Sequence, residues 1–103
     1  MKFYHGTTLE NWKLIQEEGI LFGRRYIIDN DGNKLEEVSR CTYLTPMIEE
    51  ARCYGDVVLE VEYEPYDGNG NKKHNNYIED CWQFRVYEPI SIKDVKLIEV
   101  KKP

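Results

Sequence analysis

The sequence predicts a compact α+β domain, and three observations predict it. DVVLEVEYEP alternates apolar and acidic residues with the period of a strand. TTLENWKLIQEEG instead spaces its apolar residues for one helical face and stops at a glycine. Around them stand several short β-prone runs punctuated by Gly, Pro, Asn and Asp. At 103 residues the chain has room for one modest core, so residues 1–103 are read as a single domain. The expected architecture is six or so short strands in mixed or antiparallel pairing, with two helices.

Taken in order, Phe3-Tyr4 opens a sheet as a very short strand. Thr7-Thr8-Leu9-Glu10 has the T-x-x-E form of a capping box, with Thr7 as N-cap and Glu10 reaching back. Leu9, Trp12 and Ile15 then line one face, with Leu14 at its edge, and Gly19 takes the left-handed closing position. This predicts a helix near 8–18. Ile20–Phe22 reads as a short strand. Tyr26–Ile28 pairs with Lys34–Val38 around Asn30-Asp31-Gly32-Asn33, a strong hairpin turn. Cys41–Leu44 is a strand, followed by Thr45 as N-cap and Pro46 at the first helical position. That helix carries Met47, Ile48, Ala51 and Tyr54 and stops at Gly55.

In the alternating strand, Val57, Leu59, Val61 and Tyr63 face the core, while Glu60, Glu62 and Glu64 face solvent. A solvated sheet face is the simpler account of the three glutamates than a metal or catalytic cluster. Residues 67–76 form a polar, glycine-rich loop of a kind that is often functional, and His74 lies in it as a solvated residue. WQFRVYEPI and KLIEV are two further strands, broken by Pro89. In the first, Trp82, Phe84 and Val86 form the apolar side, leaving Gln83, Arg85 and Tyr87 opposite. Trp12 and Trp82 are read as core.

Composition narrows the function. With 41% hydrophobic and 13% aromatic residues, the chain is globular rather than disordered. A formal net charge of −5 argues against a general nucleic-acid binder. No apolar run reaches membrane-spanning length, no signal-peptide stretch opens the chain, and Cys41, Cys53 and Cys81 read as reduced thiols of a cytoplasmic protein. These cysteines form no metal-ligand pattern with His5 and His74. Neither serine, Ser39 or Ser91, sits in a nucleophile elbow, and no phosphate-binding loop or dinucleotide fingerprint occurs.

What remains is three segments, YHGTT, TYLTP and WQFRV, each placing polar or aromatic groups at a strand or its end. If they border one cleft, His5, Tyr43 and Gln83 can converge there. Together these segments resemble the ADP-ribosyltransferase fold, in its diphtheria-toxin-like and poly(ADP-ribose) polymerase-like branch. That branch has His-Gly-Ser/Thr on its first strand, a tyrosine on a later strand and usually a glutamate on a strand near the C-terminus. YHGTT matches the first motif, and TYLTPMIEEARCYG matches the second, with Tyr54 eleven residues after Tyr43.

The resemblance implies a split sheet and NAD+ as substrate. Gly6 would meet the nicotinamide carboxamide with its backbone and Thr7 would support it. His5 would bond the adenosine ribose, Tyr43 and Tyr54 would sandwich the nicotinamide ring, and Thr45 would join the binding set. His5, Tyr43 and Gln83 would be the catalytic trio. Gln83 stands where the family has glutamate, and losing one aimed electrostatic group typically costs about 2.7–4 kcal/mol in the transition state. Glu79 or Asp80 is an alternative carboxylate, and Arg85 offers either a phosphate contact or a surface ion pair. The implied function is mono-ADP-ribosylation of a protein or nucleic-acid acceptor. Two alternatives are a non-catalytic NAD+ or ADP-ribose binding module and an RNA 2′-phosphotransferase. The acceptor and the oligomeric state stay open.

Overall fold

The computed structural model describes residues 1–23, 25–38 and 40–101. Its strands are β1 (Lys2–Thr7), β2 (Ile20–Leu21), β3 (Arg25–Ile28), β4 (Lys34–Val38), β5 (Thr42–Leu44), β6 (Val57–Glu62), β7 (Phe84–Val86), β8 (Ile90–Ser91) and β9 (Val95–Val100). Two α-helices, α1 (Leu9–Glu18) and α2 (Ile48–Ala51), lie among them, and α2 runs on into a 3-10 turn over Arg52–Tyr54. The α+β class holds, and the pairings among the described residues are antiparallel.

The central sheet has the order β9–β6–β1. On the free side of β1, Tyr4 exchanges both backbone hydrogen bonds with Thr45, at 2.7 and 3.0 Å, joining the β5–β7 pair to the sheet at one point. Side chains of Phe3, His5 and Thr7 alternate with those of Tyr4 and Gly6 along β1. The first set shares its face with Val61, Leu59 and Val57 of β6, by register. That face carries the core, in which Phe3, Leu44, Leu59, Val61, Phe84 and Val86 are all buried.

The opposite face is also covered. Gly6 lies directly under α2: a Cβ added there would overlap the Ala51 carbonyl oxygen and crowd Tyr54 Cβ. Val58, the cross-strand neighbour of Gly6, is buried on this face too. Solvation on that side begins only at Glu60, which pairs with Lys2 at 3.7 Å. The glutamates thus lie on the outer face as expected, but simple alternation misses Val58.

Several local expectations shift. β1 is six residues long because it runs the full length of its register with β6, from Lys2–Glu62 to Thr7–Val57. Thr7 is therefore buried in the strand, and the N-cap is Thr8, whose Oγ1 accepts from the Asn11 N–H at 3.1 Å. The third helical position is then Asn11, so Glu10 does not close a capping box. Asp56 supplies a second cap, its carboxylate accepting from the Leu9 N–H at 3.2 Å. Gly19 closes the helix at φ 74° as expected.

No residue of α1 is fully buried: Trp12 and Ile15 pack against the core, while Leu9 and Leu14 are exposed. The second helix starts two residues late. Thr45 Oγ1 accepts from the Met47 N–H at 3.0 Å, and Met47 rather than Thr45 takes the cap position, so Pro46 precedes the helix. Trp82 is 59% exposed, because β7 begins only at Phe84 and the indole lies beyond the strand's apolar side. The β3–β4 hairpin forms as expected, with the Asp29 carboxylate accepting from the Asp31 and Asn33 N–H groups.

Candidate functional site

The β1–β5 contact ends where it begins. In an antiparallel ladder the next facing pair after Tyr4–Thr45 is Gly6–Tyr43, yet there the strands part. The Tyr43 carbonyl, which in a continued ladder faces the Gly6 N–H, accepts instead from His5 Nδ1 at 2.8 Å. The imidazole is wedged into the fork between the two strands. Because Tyr4 directs its N–H and C=O to β5, Gly6 two residues on directs its own pair to that same edge. Past the bridge, that edge of β1 faces a cavity rather than a strand.

The cavity has a volume of about 570 Å3. Its walls include His5, Gly6, Thr7 and Thr8 at the end of β1, the inner face of α1 from Asn11 to Glu18, the Ile20–Gly23 segment, and Tyr43 and Tyr54, with Lys34 and Cys41 completing the lining. Tyr43 is 40% exposed, between buried Thr42 and Leu44. Tyr54 donates to the Glu50 carboxylate at 2.9 Å, and that bond raises the phenol above its ordinary pKa.

His5 has a defined state here. A carbonyl only accepts, so Nδ1 carries the proton. Burial pushes the imidazole below its ordinary pKa of 6.5, against the opposing pull of the Tyr43 carbonyl. The ring is then neutral at neutral pH, and Nε2 is left as a hydrogen-bond acceptor.

Of the residues singled out in the sequence, His5, Gly6, Thr7, Tyr43 and Tyr54 line this one cavity. Thr45 and Gln83 do not belong to its lining. Thr45 is buried at the closed end of the fork, where it pairs with Tyr4 and caps Met47. Gln83 is half-buried just before β7, and Glu79 and Asp80 are exposed in the turn upstream, Asp80 at φ 65°. The lining carboxylate is Glu18, which lies 3.6 Å from the Arg40 guanidinium.

The glycine also has a reason the sequence did not suggest. Gly6 is required by the close approach of α2, whether or not a ligand binds. The α1 wall was missed as well, since Asn11 and Glu18 read from sequence as an ordinary solvated helix face. Arg85 and His74 belong to a second cavity. No protein-family model matches the chain, and no curated protein or solved structure matches it.

Proposed function

We propose that the fork between β1 and β5 is an NAD+ site and that the protein is a mono-ADP-ribosyltransferase of the ADP-ribosyltransferase fold, acting on a protein or nucleic-acid acceptor. One observation carries this reading: Gly6 turns an N–H donor and a C=O acceptor to the same open edge, inside a cavity that also holds Tyr43, Tyr54 and a neutral histidine. A primary carboxamide is one donor beside one acceptor, and it pairs with such an edge as an added strand would. The tyrosine rings offer apolar faces to a planar ring, and His5 Nε2 accepts from a ribose hydroxyl.

Cleavage of the nicotinamide–ribose bond builds positive charge on the ribose, as glycoside cleavage does. Nicotinamide leaves with the electron pair of that bond and the acceptor's nucleophile attacks the ribose carbon it vacates, while the cavity residues hold the ring and the ribose in place. Charge stabilisation is the weak part, because Glu18 is already engaged by Arg40. Gln83 contributes a dipole at most, from outside the cavity lining, so turnover is expected to be slow. The same observation favours a second reading, a binding module for NAD+ or ADP-ribose that lacks the transfer step.

Incubation with NAD+ and measurement of free nicotinamide separates the two. The transferase reading expects slow release that His5→Ala abolishes. Saturable NAD+ binding with no nicotinamide over hours supports the module, and absence of both rejects the site.

A further inference from the structure

The second cavity, of about 390 Å3, is lined by Lys73, His74, Asn75, Asn76, Arg85 and Tyr87. It is framed by hydrogen bonds that fix the loop after β6. Buried Tyr63 donates from its hydroxyl to Glu88 Oε1 at 2.7 Å, so the proton between Tyr63 and His74 must come from His74 Nε2, also at 2.7 Å. Lys73 Nζ lies 4.0 Å from Glu88 and 5.2 Å from the centre of the Tyr63 ring. His74 stacks on Tyr63 and leans against Tyr87. The solvated-loop reading of His74 is thereby corrected: desolvation pushes its pKa down and a tyrosine holds its ring.

Two groups in this frame have no internal reason to be there. The Asn76 amide is buried with neither Nδ2 nor Oδ1 hydrogen-bonded, a state that native proteins seldom leave uncompensated. Arg85 is exposed beside it, without a carboxylate partner among the described residues. Two cations and two asparagines thus line one cavity in a chain of net charge −5.

We propose that this cavity is a site for a small phosphate monoester, distinct from the fork. A dianion with three acceptor oxygens matches two cations and the exposed Asn75 amide, and a planar guanidinium suits it by bidentate contact. The surrounding acidic protein disfavours long polyanions, and the cavity exceeds a bare phosphate, leaving space for an attached sugar. Arg85 stands directly opposite Tyr43 across the β5–β7 pair, so an ester seated here lies beside the aromatic wall of the fork. The inference does not depend on whether the fork binds NAD+.

The test is titration of the isotope-labelled protein with inorganic phosphate and then ribose 5-phosphate at constant ionic strength, followed by amide NMR, with chloride as control. Saturable shifts at Lys73, His74, Asn75, Asn76 and Arg85 are expected, with ribose 5-phosphate binding more tightly. Arg85→Gln and Lys73→Gln should each weaken binding about tenfold, the effect of one lost charge-assisted contact, and Glu62→Gln, outside the cavity lining, should not. Shifts that do not saturate, that centre on His5 and Tyr43, that vanish by competition with NAD+, or that both variants leave unchanged would overturn the proposal.

Discussion

The two cavities are built on opposite principles. The fork is made by backbone: a single bridge at Tyr4–Thr45, a strand that then departs, and a glycine pressed against α2. Its side chains decorate a geometry that the sheet already imposes. The cavity around Arg85 is made by side chains, with Tyr63, His74 and Glu88 bonding a loop into place over the end of the sheet. A site of the first kind is changed by altering the main chain's packing, and one of the second kind by removing a single polar atom.

The largest effect is expected at Gly6. Gly6→Ala pushes a methyl group into the Ala51 carbonyl and should destabilise the fold by about 3 kcal/mol, measured as a fall in the denaturant midpoint. Gly68→Ala, where an added Cβ meets nothing within 4 Å, should stay within about 0.5 kcal/mol of the parent. Equal effects at the two glycines would break the claim that β1 and α2 are locked together.

Next comes Tyr63→Phe, which deletes the hydroxyl between His74 and Glu88. A loss of about 1–2 kcal/mol is expected, with increased amide exchange confined to the loop after β6. Exchange that rises equally in β1 would mean the two cavities are not separately constructed.

The smallest effect is a pH dependence shared by both. His5 and His74 have folded-state pKa values below their ordinary 6.5, so the unfolded chain binds protons that the folded one refuses. Stability should be level above pH 6.5 in this respect and fall as pH drops through and below it. His5→Gln, which keeps a neutral polar group, should remove the His5 share of that acid limb and leave the His74 share, and urea midpoints at stepped pH would check it.

How much was legible follows the same division. The α1 helix, the Asn30–Asn33 turn and the β6 strand are local signals, and each element forms at its place, although Leu9 is exposed and Val58 buried. Strand parity only permits HGT and TYLT to meet at one cleft; it was the family resemblance that put them together, and it put Gln83 there too, which lies outside the cavity lining. The hidden features were tertiary. Thr8 rather than Thr7 caps α1 because β1 pairs with β6 to its last residue, a register no local window contains. Val58 is buried on the far face, and Trp82 is exposed because β7 starts two residues later. His74 found its tyrosine across a loop, and no spacing announces that partnership.

Whether the fork takes NAD+ is decided by calorimetric titration of the protein with NAD+, beside His5→Ala and Tyr43→Ala. Saturable one-to-one binding is expected, weakened at least about tenfold by both substitutions, while far-ultraviolet circular dichroism shows each variant folded. No measurable heat of binding with the parent protein, or equal affinity in all three, would contradict it and leave His5-Gly6-Thr7 as the packing of a strand against two helices.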